Sequence, residues 1–235
     1  MRHNSMSSGK TAIVTGSGRG IDKETAIMLA ERVVNVVVCS RTQREIDKTV
    51  DEIKSIHPRV LGVRCDVGKA DDVEMLVKKI VEKFDSRIDI LVNNAGIVFL
   101  KRLEDTTEDE WDKTINSNLK SAFLCTRTVL PYMKNDGTII NVSSSAGKVG
   151  FENLSAYCAS KFGMMGLTAS LAWELANVRV MVVCPGDVDT AMQDIDPEYH
   201  RINKDRMLYA REVAAKIVDM IFSPDKYATG QSVDI

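Results

Sequence analysis

The run Thr11-Ala12-Ile13-Val14-Thr15-Gly16-Ser17-Gly18-Arg19-Gly20-Ile21 decides the fold. A short apolar run breaks into a turn containing Gly16, Gly18 and Gly20, and Ile21, Ala26, Ile27, Leu29 and Ala30 then recur at helical spacing. A strand, a glycine-rich turn and a helix in that order bring backbone N–H groups and a helix N-terminus to a phosphate. A second apolar run, Val36-Val37-Val38-Cys39, ends at Ser40-Arg41. It closes a β-α-β unit of about 30 residues, the size of a dinucleotide-binding half.

The alternation continues along the chain. A polar helix over about Gln43 to Ile56 leads to a strand, Val60 to Cys65, then Asp66. A helix from Ala70 to Phe84 leads to the apolar run Ile88 to Val92, followed by Asn93-Asn94-Ala95-Gly96. A long helical region, broadly Glu108 to Met133, precedes a strand over Thr138 to Val142 and the serines 143–145. Helices over Ser155 to Ala176 and Arg211 to Phe222 flank a buried run at Val180 to Cys184, and a short strand near Gln231 to Val233 finishes the pattern. Short apolar runs alternating with helices predict an α/β fold whose parallel sheet is covered on both faces. No linker, repeat or low-complexity stretch divides it, so residues 10–235 read as one domain. The polar segment 1–9 is expected to be disordered, and Met1 to Ser5 is readable as an addition ahead of Met6.

With 44% hydrophobic and 27% charged residues, the 235-residue composition is that of an ordinary globular chain. The net charge of -2 leaves no electrostatic footprint for nucleic acid or an anionic membrane. The five cysteines, Cys39, Cys65, Cys125, Cys158 and Cys184, form no CxxC pair, and there is no histidine cluster. No metal site is expected, and the thiols read as reduced and buried. No apolar stretch is long enough to cross a bilayer, and Met1 to Gly9 lacks a signal peptide's apolar centre. A cytoplasmic protein acting on a small molecule is expected.

Tyr157 and Lys161, four apart on a helix, share one face. A nearby ammonium favours the charged form of a tyrosine, whose free pKa of roughly 10 is too high for proton transfer near neutrality. Such a pair is common by chance, and its context is what gives it weight. In order, the chain carries Thr15-Gly16 with Gly20, Asp66, Asn93-Asn94-Ala95-Gly96, and Asn118 in Asn-Leu-Lys-Ser. The serine run, Tyr157 with Lys161, and Pro185-Gly186 follow.

With these motifs the chain resembles the short-chain dehydrogenase/reductase family from about Lys10 to Ile235. The resemblance implies a Rossmann-like doubly wound sheet and assigns roles. Tyr157 would be the general acid in carbonyl reduction and the base in alcohol oxidation. Lys161 would lower its pKa and hold the nicotinamide ribose. Ser144, thirteen residues before Tyr157, would donate to the substrate oxygen, with Ser143 and Ser145 as neighbouring choices. Asn118 would anchor a water chain behind Lys161; from the residues alone it is a helix amide bonded to local backbone. The turn Gly16, Ser17, Gly18, Arg19, Gly20 and Ile21 would hold the pyrophosphate. Asp66, with Val67 beside it, would face the adenine; by itself Asp66 reads as a helix-capping turn residue. Asn93, Ala95 and Gly96 would lie against the adenosine ribose and the central sheet, or form only the turn after a strand. Pro185, Gly186, Val188 and Thr190 would contact the carboxamide.

Cofactor choice follows more directly from charge. NAD sites place an acid at the end of the second strand for the ribose 2′-hydroxyl, whereas NADP sites need positive charge for the 2′-phosphate. That position is Ser40, followed by Arg41, with Arg19 in the turn. Two guanidinium groups without a competing carboxylate favour NADP(H) over NAD(H).

Several features depart from the family pattern. Asp22 stands where the third glycine is usual, and is expected to push helix and strand apart or to bring a carboxylate near the pyrophosphate. In the first turn it also suits the helix itself. Val33 replaces a glycine after the first helix, so that turn is expected to close differently. The segments 176–179 and 187–211 are short, the latter implying an open or small pocket.

The leading expectation is an NADP(H)-dependent oxidoreductase acting on a carbonyl or secondary alcohol, with a 3-oxoacyl thioester or a small ketone or aldehyde as substrate. Its rival is a catalytically silent dinucleotide-binding or regulatory protein on the same fold. The resemblance also implies a homo-oligomer, tetramer or dimer, through the helix carrying Tyr157 and the long helix before it. There Met164, Met165, Leu167 and Leu171 could serve an interface or the core.

Overall fold

The computed structural model describes residues 9–235, and the remainder of the segment 1–9 lies outside it. The elements run β1 (Thr11–Thr15), α1 (Gly20–Glu31), β2 (Asn35–Ser40), α2 (Gln43–Lys54), β3 (Val60–Arg64), α3 (Ala70–Lys83) and β4 (Ile88–Asn93). Next come α4 (Glu108–Ile115), a π-turn (Asn116–Lys120), α5 (Ser121–Val129), β5 (Met133–Val142), α6 (Ser155–Glu174) and β6 (Val178–Cys184). The chain finishes with β7 (Val188–Asp189), α7 (Pro197–Asn203), β8 (Leu208–Tyr209), α8 (Ala210–Phe222) and β9 (Ser232–Asp234).

Seven strands form one sheet in the order β3-β2-β1-β4-β5-β6-β9, and every pairing is parallel. Strand side chains alternate between faces, so each apolar run feeds two cores. Ala12, Val14, Val36, Val38 and Ile90 pack with Leu29 of α1 and Ile217 of α8 on one side. Ile13, Val37, Cys39, Leu91 and Ile139 pack with Leu76 of α3 and Leu124 of α5 on the other. All five cysteines are buried and free. Strand order reverses between β1 and β4, which opens a crevice at their carboxyl ends.

The expected long helix before β5 is interrupted by the π-turn at Asn116–Lys120, a geometry that recurs at functional sites. On α6, Met164 is buried and the partly buried Leu171 packs against a core. The exposed apolar side chains of α4, α5 and α6 are instead Trp111, Phe123, Phe162 and Trp173.

The end of α1 corrects one expectation. Val33 has φ 62°, the left-handed conformation that a glycine would normally supply. Its N–H donates to Ala30 O at 2.9 Å, and Val34 N–H donates to Leu29 O at 3.3 Å. These are the two bonds of a Schellman ending, completed by burial of Val34 and Leu29 in one core. The turn therefore closes in the usual way, and the β-branched residue bears the strain of about 1–3 kcal/mol. Val33→Gly should relieve that strain at a smaller entropic cost. We expect a net gain of about 1 kcal/mol and a melting temperature raised by roughly 2–4 °C in thermal unfolding.

Candidate active site

A cleft of ≈ 1460 Å³ lies over the crevice between β1 and β4. Its floor at one end is the glycine turn. Gly16 (φ 80°) lets the chain reverse, and a Cβ there would sit 3.1 Å from Ala95 Cα. Gly20 (φ 61°) starts α1, whose N-terminus has no side-chain cap, so the first-turn amides remain available. Thr15 Oγ1 braces the facing loop by accepting from Asn94 N at 3.1 Å and Ala95 N at 3.2 Å. The guanidinium groups of Arg19 and Arg41 are exposed at the same end and form no ion pair among the described residues. A dinucleotide fits this set of donors: a glycine cradle, an uncapped helix start and two free guanidinium groups.

Asp22 brings its carboxylate to the glycine turn. Its carboxylate is buried beneath the turn, where it accepts from the Asn94 amide and lies 2.7 Å from the place a Gly16 Cβ would occupy. The missing side chain at Gly16 makes the room. Burial pushes the Asp22 pKa up to about 8, against the opposing effects of the Asn94 hydrogen bond and the Lys161 charge.

The other end of the cleft holds Ser144, Tyr157 and Lys161. The phenol shares this end with Ser144, whose hydroxyl acts to lower its pKa and whose Oγ accepts from Ala146 N at 3.2 Å. Ser143 turns away, donating to Lys161 O at 3.0 Å, so Ser144 is the serine brought to the tyrosine. Lys161 Nζ donates to Val142 O at 2.8 Å and stands 5.5 Å from the Tyr157 ring centre. Lys161 was expected to lower the tyrosine pKa, but burial pushes it up to about 12, against the lowering effect of the Ser144 hydroxyl. Burial also pulls Lys161 down to about 8, with Asp22 opposing.

Several expected contacts fall elsewhere. Ser17 is buried below the turn, donating to Val14 O at 2.6 Å and accepting from Cys39 N at 3.0 Å, so it ties the turn to β2 and does not line the cleft. Asn93 also lies inside the sheet, its amide donating to Asn141 Oδ1 at 2.9 Å. Asn118 is fully buried; its amide donates to Ile97 O at 2.9 Å and Ser160 Oγ at 3.0 Å. Both amide hydrogens are thus used, and the side chain locks the π-turn to α6. Asp66 lines the cleft but uses Oδ1 to accept from Gly68 N at 3.1 Å, as a turn residue does. Ile21, Val67, Ala95, Gly96, Pro185, Gly186, Val188 and Thr190 all line the cleft, with Thr190 facing Gly20. The segment 187–211 is folded down by Tyr199 Oη on Asp187 (2.7 Å) and His200 on Asp189 (2.8 Å), and the cleft it borders is open, not small.

Glu45 is the residue that sequence reasoning missed. Ser40 donates its hydroxyl to Glu45 Oε2 at 3.3 Å, so a carboxylate does stand at the end of β2. No local pattern signals it, because it depends on how α2 leans over the turn. Asn94 was missed as well, although it sits inside a quoted motif.

Comparison with known proteins agrees with this geometry. Residues 10–199 match the short chain dehydrogenase model. The chain belongs to that family. It is 36% identical over 237 residues to the 3-oxoacyl-(acyl-carrier-protein) reductase FabG of Thermotoga maritima, covering 97% of this chain and 96% of the relative. An uncharacterized oxidoreductase of the same organism is 42% identical over 182 residues, covering 76% of this chain and 71% of its own. Among solved structures, levodione reductase is similar with a TM-score of 0.90 at 28% identity, covering 97% and 96% of the two chains. A dehydrogenase/reductase from Sinorhizobium meliloti 1021 reaches a TM-score of 0.92 at 30% identity, covering 99% and 96%. The chain is thus a short-chain oxidoreductase of a family that binds a nicotinamide dinucleotide. Among the described residues no helix is long and apolar enough to cross a membrane.

Asp22 has a consequence for stability. It keeps its proton in the folded state up to about pH 8, whereas an ordinary aspartate loses it near 3.8, so folding binds the extra proton between these limits and stability falls as pH rises. The lowered Lys161 acts oppositely, but only above about pH 8. Between pH 5 and 8 the wild type should therefore lose stability relative to Asp22→Asn, by roughly 3–5 kcal/mol in denaturant unfolding. Parallel pH profiles for the two proteins would refute this.

Proposed function

We propose that this protein is an NADP(H)-dependent reductase of a ketone or aldehyde, a 3-oxoacyl thioester or a small carbonyl compound being the substrate class. The observation that carries the reading is the convergence of Ser144, Tyr157 and Lys161 at one end of a cleft whose other end is a glycine cradle flanked by Arg19 and Arg41. The relatives, a 3-oxoacyl reductase and a levodione reductase, support carbonyl chemistry. Arg19 and Arg41 would hold the 2′-phosphate, the turn from Gly16 to Ile21 the pyrophosphate, and Lys161 the nicotinamide ribose. The bound dinucleotide supplies the hydride.

The chain's own residues handle the oxygen and the proton. Ser144 Oγ donates to the carbonyl oxygen as negative charge builds there. Tyr157 then gives it the phenolic proton, and with a pKa pushed up to about 12 the group is fully protonated at neutral pH. This state suits reduction; alcohol oxidation would first require the phenol to lose its proton. Lys161, charged below about pH 8, stabilises the phenolate left behind. Asn118 is a positioning residue acting through Ser160 on α6. The exposed aromatic residues of α4, α5 and α6 favour assembly into dimers or tetramers through those helices.

Tyr157→Phe should lower turnover by about 10²–10⁴-fold while NADPH binding stays within twofold; comparable turnover would remove the tyrosine from the mechanism. Reductive kcat/KM should fall as pH rises through about 8, where Lys161 loses its charge, and a flat profile to pH 10 would count against that role. In fluorescence titrations Arg41→Ala should weaken NADPH binding about tenfold or more and leave NADH nearly unchanged.

A further inference from the structure

Helix α2 brings to the cleft a charge that the motifs do not assign. Besides accepting from Ser40 Oγ at 3.3 Å, Glu45 lies across the glycine turn so closely that a Cβ on Gly18 would fall 2.7 Å from its Oε2 and 2.8 Å from its Cβ. One turn further along, Thr49 Oγ1 donates to Gly18 O at 3.4 Å, so the same helix face holds the turn at two points. Glu45 is half-buried and forms no ion pair among the described residues, although Arg19, Arg41 and Lys48 line the same end of the cleft. Its carboxylate therefore stands without a cationic partner at the end of β2.

We propose that Glu45 is a specificity-determining residue for the dinucleotide. From α2 it takes the place of the acid that is absent at Ser40, accepting from the 2′-hydroxyl of NAD(H) and opposing the 2′-phosphate of NADP(H). The arginines and Glu45 act in opposite directions, so the preference for NADP(H) is narrower than two guanidinium groups alone would set. This inference rests on the dinucleotide reading given above.

The test is the ratio of dissociation constants for NADH and NADPH, measured by fluorescence or calorimetric titration. Glu45→Gln keeps the shape and the acceptor for Ser40 while removing the charge. We expect it to bind NADPH about five- to twentyfold tighter and NADH no better than wild type, with the shift shrinking as salt is raised. Glu45→Asp, which keeps the charge but withdraws it by one methylene, should fall between wild type and Glu45→Gln. A ratio unchanged within twofold in Glu45→Gln overturns the proposal, as does Glu45→Asp behaving like Glu45→Gln, which would assign the effect to shape. The two readings fail separately. Wild-type protein binding NADH more tightly overturns the NADP(H) preference, whereas an unchanged ratio in the variant overturns the role of Glu45.

Discussion

The parting of the chain at the β1/β4 junction is the constraint on which the rest of the molecule depends, because it leaves a crevice that backbone alone must floor. Neighbouring crossover helices lie on opposite faces of the sheet, so no side-chain layer fills the gap between them. The turn after β1 has to reverse direction and present N–H groups, which Gly16 and Gly20 permit at positive φ. Thr15 ties that turn to the loop after β4, and Ser17 ties it to β2. These ties connect three strands to one short loop.

The buried carboxylate of Asp22 shows how closely this floor is coupled to the chemistry above it. At most positions a carboxylate replacing glycine in a packed helix start would force the elements apart. Here the empty side of Gly16 receives it, and the Asn94 amide supplies a donor. The remaining imbalance is electrostatic. Asp22 and Lys161 each feel the other's charge, and burial drives both toward their neutral forms, so the proton-handling end of the cleft and its phosphate-facing end are not independent. Within this pair, desolvation outweighs the local attractions, as it also does for Tyr157.

Helix endings and helix placement carry the other departures from the family pattern. The core contact between Val34 and Leu29 is strong enough to hold Val33 in a conformation that its own side chain disfavours. Tertiary packing prevails over local preference there. The π-turn at Asn116–Lys120 has a similar origin: Asn118 is drawn inward to bond Ile97 and Ser160, and the helix widens to let it.

The sequence by itself determined the alternation of strands and helices, the parallel sheet buried on both faces, and the family. These follow from periodicity and from motifs whose residues are close together in the chain, and the expected strands and helices match observed ones, apart from the early start of β5 and the unread β7, α7 and β8. It also placed Ser144, Tyr157, Lys161 and the glycine turn at one cleft, since each lies at the end of a readable element. Only the tertiary structure decided that Ser17, Asn93 and Asn118 face inward, because side-chain direction at a turn or π-turn depends on partners far away in sequence. The same holds for Glu45 meeting Ser40, for Asp22 finding space beneath Gly16, and for burial raising the pKa of Tyr157. Each is set by solvent exclusion and the angle between packed elements, quantities that no local run of residues encodes.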